Sequence, residues 1–132
     1  MNRKRFNQQT LNKGFAYAKG EYLTWTSDDN IYKPNAIEYL VRELEKSTDI
    51  DMVYSDYTNI DASGNIISEG KLLDSDMIFI GNVVGACFLY TAGIACKVGE
   101  YDANLFLAED YDYWIRIYRY GKIKHIPVSL LL

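Results

Sequence analysis

The chain has 132 residues, of which 48% are hydrophobic, 24% are charged and 14% are aromatic. This length and composition predict one globular domain with a single core and argue against two domains. A net charge of −4 and a pI near 4.9 argue against an electrostatic nucleic-acid binder, whose surface would be basic. The two cysteines, Cys87 and Cys96, lack metal-type spacing and are too few for a disulfide framework, which favours a reducing, cytoplasmic location.

The uncharged stretch from Met77 to Cys96 is long enough to cross a bilayer. It contains glycines and an asparagine, and its apolar residues come in short pieces. We therefore predict a buried strand followed by a short helix here, and no transmembrane segment.

The first part of the chain predicts two helices with a strand between them. Apolar residues at helical spacing, followed by Gly20, predict a helix over residues 8–19. The aromatic and apolar residues 22–25 predict a strand. Pro34 suits the first position of a second helix, in which apolar residues recur every three or four positions. These residues are Ile37, Leu40, Val41 and Leu44.

The middle of the chain predicts further strands and a hairpin. Residues 51–57 are rich in β-forming side chains and predict a strand. The turn-forming run at residues 61–65, which lies between apolar pairs, predicts a β-hairpin. Residues 83–90 predict another strand, and residues 91–97 predict a brief helix closed by Gly99.

The last part of the chain predicts a helix and a strand. Gly121 ends the helix, and Pro127 lies inside the strand predicted over residues 122–132, which indicates an edge position or irregular pairing. His125 lies in the same strand, and we expect it to be structural. One face of the helix carries Tyr111, Trp114, Ile115 and Tyr118.

The run EYLTWTSDDNIY, residues 21–32, changes abruptly from aromatic and apolar residues to turn-forming side chains, with Asp28 and Asp29 at the change. In open α/β sheets ligands bind beyond the carboxyl ends of the strands, where carboxylates can hold a divalent cation. The alternative is that Asp28 and Asn30 only cap the helix that follows Pro34.

A second acidic group, Glu109, Asp110 and Asp112, lies at the start of the last predicted helix. Carboxylates in this place can take part in catalysis. The alternative is compensation of the helix dipole, with acids in the first turn and arginines in the last.

Three segments, in this order, resemble the catalytic domain of glycosyltransferase family 2, which has the GT-A fold. They are LNKGFAYAKGEYLTWTSDDN, DMVYSDYTNIDASGNII and VGACFLYTAGIACKVGEYDANLFLAEDYDYWIRI, and they cover nearly the whole chain from about Leu11. The resemblance implies an α/β fold, a truncated GT-A-like mixed sheet with flanking helices and a small β-hairpin. Residues 1–132 would form one partial domain.

Within that domain the resemblance divides the chain into three parts. Residues 7–33 would hold a helix and the strand of the acidic motif. Residues 34–76 would hold a helix, a strand and the hairpin. Residues 77–132 would hold the acceptor-side strand, the helix of the acidic pair and the final strand.

The resemblance implies an inverting transfer of a sugar from a nucleotide-sugar donor to an acceptor hydroxyl. Asp28 would contact a divalent ion, Mn²⁺ or Mg²⁺, on the donor diphosphate, and Asp29 and Asn12 would also lie on the donor side. Asp110 would be the general base that takes the proton from the acceptor hydroxyl. Glu109 would position that base or contact the acceptor.

Trp114 and Gly85 would lie on the acceptor side, although the helical spacing of Trp114 fits a core position equally well. An inverting transfer needs a base opposite the leaving group and a cation on the departing diphosphate. We therefore predict that Asp28 and Asp110 converge on one cleft, with on the order of 10 Å between their carboxylates.

Two features depart from the family pattern. Thr26 stands where the first acid of the family's metal motif would be. The strand, helix and strand that build the nucleotide-base pocket have no counterpart, so we expect a fragment with weak or no transfer activity alone. The lost neighbours would leave an open strand edge that predicts a homodimer. The alternative function is a non-catalytic remnant or scaffold that binds a partner or saccharide.

The partners that the resemblance implies are a UDP-sugar donor and a saccharide or lipid-linked acceptor, as in polysaccharide biosynthesis. The acidic composition argues against a nucleic-acid partner. The expected location is the cytoplasm, including the surface of the membrane.

Overall fold

The computed structural model describes residues 11–27, 30–102, 104–105 and 109–132. These residues form a mixed sheet with helices packed against it. The strands are β1 (Tyr22–Leu23), β2 (Met52–Ile60), β3 (Ile66–Gly70), β4 (Phe88–Thr91) and β5 (Ile123–Leu131). The helices are α1 (residues 11–17), α2 (Ala36–Glu45), α3 (Ala92–Val98) and α4 (Glu109–Tyr120), with a 3₁₀ turn at Ser75–Met77.

Strand β2 is the one on which the sheet is built. It pairs with β4 and with β3 in antiparallel fashion, and with β5 in parallel. Because Tyr57 has Gly70 of β3 as one partner and Leu131 of β5 as the other, these two strands lie on opposite edges of β2. Strand β1 is antiparallel to β4. The predicted mixed sheet with flanking helices and a hairpin is confirmed.

The pairing of β5 with β2 is interrupted at Pro127. Ser55 pairs with Ile126, but the next residue of β2, Asp56, pairs with Ser129. Proline has no backbone N–H to give to a ladder, so the register shifts past it. The irregular pairing predicted from Pro127 is confirmed.

The hairpin between β2 and β3 is also confirmed. The carboxylate of Asp61 accepts hydrogen bonds from the backbone N–H groups of Ser63 and Asn65, both at 2.9 Å. A short acidic side chain that binds the backbone of its own turn is typical of such loops. The hairpin leaves Ile66 and Ile67 exposed to solvent.

Successive residues of β2 face opposite sides of the sheet, as the pleat requires. Met52 and Tyr54 belong to the core that α3 and α4 cover, and Val53 belongs to the core that α2 covers. The second core also contains Ala36, Leu40 and Leu44 of α2. Ile37, which the periodicity placed on the buried face of α2, is 42% exposed, so the helix is confirmed but its buried face is shifted.

The strand predicted over residues 83–90 is shorter than expected. Only Phe88–Thr91 forms a strand, whereas Val83 and Val84 are buried outside any strand. Gly85 has a φ of +71°, which is incompatible with an extended strand and ends the regular structure. The following helix is confirmed as α3, with Thr91 as its N-cap and Gly99 at its end.

Helix α4 begins at Glu109, and its predicted apolar face packs on the core but is shifted, so that Tyr113 and Ile117 are buried beside Trp114. Its buried apolar residues are Tyr113, Trp114 and Ile117, while Tyr111 and Tyr118 are only partly buried. Tyr113 is buried because its ring stacks on that of Tyr101, with the centroids 3.9 Å apart. Among the described residues, no helix is both long and apolar enough to span a membrane.

Candidate functional site

Asp110 lies in the first turn of α4 and is half-buried. Its Oδ1 accepts a hydrogen bond from the backbone N–H of Tyr111 at 2.8 Å, and its Oδ2 accepts one from Nδ2 of Asn82 at 3.3 Å. The positive end of the helix dipole favours a negative charge here. Both oxygens of the Asp110 carboxylate are therefore held by hydrogen-bond donors.

Glu109 precedes Asp110 and is only 7% exposed. Its Oε2 has no hydrogen-bond partner among the described residues. A buried carboxylate oxygen without a partner is costly, and such groups in folded proteins call for an explanation such as a ligand or a catalytic role. The two acids therefore have different surroundings, one hydrogen-bonded and half-open, the other buried.

A shared aromatic platform joins the stretch that precedes Asp28 to the helix that carries Asp110. The ring of Trp25 contacts that of Phe88 with centroids 5.4 Å apart, and Phe88 contacts Trp114 at 4.6 Å. The hydroxyl of Thr24 also donates to the backbone oxygen of Phe88 at 2.6 Å. Both acidic stretches thus adjoin segments that pack on the same residue of β4.

Tyr101 completes this platform. Its hydroxyl accepts a hydrogen bond from Nε1 of Trp25 at 2.8 Å, and its ring stacks on Tyr113. Burial raises the pKa of the Tyr101 phenol well above its usual range, and the negative charge of Asp110 contributes to the rise. The phenol therefore stays neutral and serves as a structural link.

Asn12 is held by the backbone of Tyr101. Its Nδ2 donates to the carbonyl of Tyr101 at 2.8 Å, and its Oδ1 accepts from the N–H of Tyr101 at 2.9 Å. This pair of bonds fastens α1 to the segment ahead of α4. A contact between Asn12 and the donor stays a prediction.

The two residues predicted on the acceptor side lie in different surroundings. Trp114 is fully buried in the aromatic core, whereas Gly85 is exposed at the turn before β4. The buried position of Trp114 agrees with the core interpretation of its spacing. Contact of either residue with an acceptor stays a prediction.

Asp28 and Asp29 lie outside the described residues, and so does the predicted separation of Asp28 from Asp110. The flanking residues Ser27 and Asn30 are hydrogen-bonded to each other, both through their side chains at 2.8 Å and through the backbone. Within the described part of the chain there is no group of three or more histidine, cysteine, aspartate or glutamate residues that could hold a metal ion.

The segment 71–82, which sequence reasoning gave no functional role, runs from the sheet to α4. Leu72 N–H donates to Oδ1 of Asp56 at 2.9 Å, and the hydroxyl of Ser75 donates to the carbonyl of Ile123 at 2.7 Å. His125 also fastens it, since its two ring nitrogens lie 2.7 Å from Asp56 and 2.8 Å from Asp74. This arrangement agrees with the structural role expected for His125.

Asn82, at the end of this segment, is the site residue that sequence reasoning missed. It lies 28 residues before Asp110 in the chain. No local pattern marks it, because the contact depends on how segment 71–82 crosses the first turn of α4.

The fold is GT-A-like. The solved structure of S. aureus TarS, residues 1–349, matches 94% of this chain and 39% of that chain with a TM-score of 0.71 at 15% identity, which speaks for the fold alone. The family model for glycosyl transferase family 2 matches residues 2–94. The chain belongs to this family, and it is accordingly a glycosyltransferase domain.

Relatives agree with this assignment. An uncharacterized glycosyltransferase of Rickettsia conorii is 33% identical over 92% of this chain, and one of Methanocaldococcus jannaschii is 30% identical over 80%. A chondroitin synthase of Escherichia coli is 27% identical over 87%. The chain spans 22%, 38% and 17% of the lengths of these three relatives.

Proposed function

We propose that this chain is the catalytic part of a metal-dependent inverting glycosyltransferase, which passes a sugar from a nucleotide-sugar donor to an acceptor hydroxyl. The observation that carries the proposal is the surroundings of Asp110. It is half-open at the start of α4, hydrogen-bonded through both oxygens, and adjacent to a buried carboxylate at Glu109. Family membership supplies the class of reaction.

In this proposal Asp110 is the general base. As the acceptor hydroxyl attacks the sugar's anomeric carbon, its proton passes to the Asp110 carboxylate, and the bond from that carbon to the diphosphate breaks. Glu109, through the oxygen that lacks a partner within the described residues, would bind a hydroxyl of the acceptor. The half-open position of Asp110 supports the first role, and the Glu109 oxygen without a partner in the described part of the chain supports the second.

The donor side would depend on Asp28. Carboxylate and amide oxygens, such as those of Asp28, Asp29 and Asn30, are the ligands that Mg²⁺ and Mn²⁺ prefer, so the residue types fit a divalent ion held through Asp28. Such an ion would neutralise charge on the leaving diphosphate. Trp25, three residues before Asp28, packs on the platform that also supports α4.

The donor and acceptor are proposed from a relative and from the family resemblance. A relative named as a chondroitin synthase supports a saccharide acceptor. The UDP-sugar donor, and a lipid-linked saccharide as the alternative acceptor, are proposed from the resemblance to the family. Such an enzyme would act in polysaccharide biosynthesis, in the cytoplasm or at the membrane surface.

The base is tested by measuring UDP release from a panel of UDP-sugars with Mn²⁺ and saccharide acceptors, using the 132-residue chain. We expect weak activity that Asp110→Asn lowers by at least about a hundredfold, since the amide cannot accept the proton. Asp112→Asn is the matched control, because Asp112 lies in the same turn but is paired with Arg116 at 3.0 Å. Equal losses in both variants would contradict the assignment of Asp110.

The donor site is tested by calorimetric titration with uridine diphosphate, with and without Mn²⁺. We expect binding that needs the metal and that Asp28→Asn abolishes, because the amide removes the anionic ligand. Asp29→Asn serves as the matched control and should weaken binding less. Metal-independent binding, or binding unaffected by Asp28→Asn, would contradict the proposed metal site.

A second candidate is a non-catalytic domain that binds a partner or saccharide. It is favoured by Thr26, which replaces the first acid of the family's motif and is exposed. If Thr26→Asp and the wild type both bind uridine diphosphate but release none from any UDP-sugar, this second candidate is preferred.

A further inference from the structure

We propose that Asn82 is a positioning residue for Asp110, a role that rests on the proposed function. Asn82 would hold the carboxylate in the rotamer from which it can take a proton. Its own side chain lies outside the reacting groups.

The orientation of the Asn82 amide is determined by the backbone. Its Oδ1 accepts a hydrogen bond from the N–H of Val84 at 3.2 Å, which leaves the NH₂ group to face Oδ2 of Asp110 at 3.3 Å. The reverse orientation would place the amide oxygen against a carboxylate, where neither atom can donate. The hydrogen bond to Val84 therefore selects the orientation that serves Asp110.

Asp110 is oriented from two sides. Its Oδ1 is bound by the N–H of Tyr111, which belongs to its own helix, and Oδ2 is bound by Asn82, which belongs to a separate segment. A carboxylate oxygen accepts two hydrogen bonds, so Oδ2 can still receive the acceptor's proton. A 3.3 Å distance is long, and catalytic hydrogen bonds commonly shorten once substrate is bound.

The segment that carries Asn82 is anchored on both sides of it. Before it, Ile78 is fully buried and its carbonyl accepts a hydrogen bond from the hydroxyl of Tyr111 at 2.5 Å. After it, Val83 and Val84 are buried in the core. Asn82 itself is exposed, so its polar side chain is held at the surface between buried neighbours.

Tyr111 contributes to both partners of this arrangement. Its backbone N–H binds Asp110, and its side chain binds the segment that presents Asn82. The base and its positioning residue therefore share one anchor. This is the geometry expected of a site whose side-chain positions must be kept to a fraction of an ångström.

The first test measures the rotamer of Asp110 by NMR, from three-bond couplings to its β-protons. In the wild type we expect one χ1 rotamer, and in Asn82→Ala we expect averaging between rotamers. Asn59→Ala is the matched control, because Asn59 also donates a side-chain hydrogen bond, to Ser68 on the hairpin. An unchanged rotamer in Asn82→Ala would overturn the proposal, whether or not sugar transfer is detected.

The second test measures UDP release under the conditions given above. We expect Asn82→Ala to lower kcat about tenfold with the KM for the donor unchanged, because only the acid–base step is affected. Asn82→Asp should lower kcat further through repulsion by the second carboxylate. A wild-type kcat in Asn82→Ala, with activity lost in Asp110→Asn, would overturn the positioning role alone. Activity that survives Asp110→Asn would instead refute the proposed function, and the rotamer measurement would then decide on Asn82.

Discussion

Gly85 is a residue whose backbone decides the course of the chain. It has a φ of +71°, and a Cβ at this position would lie 2.8 Å from Cδ1 of Leu72. The left-handed region costs a residue with a Cβ about 1–2 kcal/mol. We expect Gly85→Ala to lower the free energy of unfolding by about this amount, because the end of the Leu72 side chain can move aside, as measured by urea denaturation.

The control for this prediction is Gly81→Ala. Gly81 lies in the same stretch, has no positive φ, and its added Cβ would meet no atom within 4 Å. Its unfolding free energy should stay within about 0.5 kcal/mol of the wild type. Equal effects at Gly81 and Gly85 would show that the left-handed turn is not required.

Individual residues also show what sequence reasoning could reach. Gly99 and Pro127 were interpreted correctly, because the end of a helix at glycine and the geometry of proline are local properties. The contacts of the Asn12 and Asn82 side chains carry no such local signal, because their partners lie 89 and 28 residues away and are defined only by packing. Asp110 was predicted to be the base from the resemblance of its acidic pair to the family's motif, whereas no local pattern marks Asn82, whose contact with Asp110 depends on packing.

At the scale of elements, Glu43 links helix α2 to strand β5 through Lys124, and it also binds Lys46 at the end of α2. It is 8% exposed, and it accepts hydrogen bonds from Lys46 at 2.7 Å and from Lys124 at 2.9 Å. The hydrogen bonds from Lys46 and then Lys124 lower the pKa of the Glu43 carboxyl. Because the folded-state pKa lies below the unfolded value, this stabilisation is complete above the ordinary carboxyl range and is lost as the pH falls through the folded pKa.

We therefore expect Glu43→Gln to lower the free energy of unfolding at pH 7, by about 1 kcal/mol. The difference from the wild type should shrink as the pH falls from the ordinary carboxyl range through the lowered folded-state pKa, because the wild-type carboxyl then becomes protonated. Urea denaturation across this pH range measures it. Glu38→Gln on the same helix is the control, since its pair with Arg42 is exposed and should contribute little. If the difference in unfolding free energy between Glu43→Gln and the wild type does not change with pH, the ionised Glu43 carboxylate is not its source.

Two helices show where periodicity succeeds and where it fails. In α2 the apolar spacing located the helix, although Ile37 is exposed. In α4 the predicted stripe runs from Tyr111 at i, i+3, i+4 and i+7, and it leaves out the buried Tyr113. Tyr113 is buried because Tyr101, from another segment, stacks on its ring. Which tyrosines are buried is therefore a property of the tertiary structure.

At the scale of the whole molecule, the edges of the sheet bear on the predicted homodimer. Strand β5 pairs along one side with β2, and Pro127, which has no N–H to offer to a further strand, lies within it. Strand β1 spans two residues and, within the described part of the chain, its pairing is with β4. Very short edge strands present few backbone groups to a second chain. We therefore expect sedimentation velocity to show a monomer at low concentration, with dimers only at high concentration. A dimer that persists on dilution would require an interface elsewhere.

The parallel pairing of β2 with β5 affects how fast the protein can fold. The two strands are far apart along the chain, and their side chains meet in the hydrogen bond between Thr58 and Ser129, 71 residues apart. Closing so large a loop costs entropy before any contact repays it. We therefore expect the pairing of β2 with β5 to form late in folding, and until then the backbone groups on that edge of β2 can pair with other chains. Aggregation during refolding, more than instability of the folded state, is the expected hazard of this architecture.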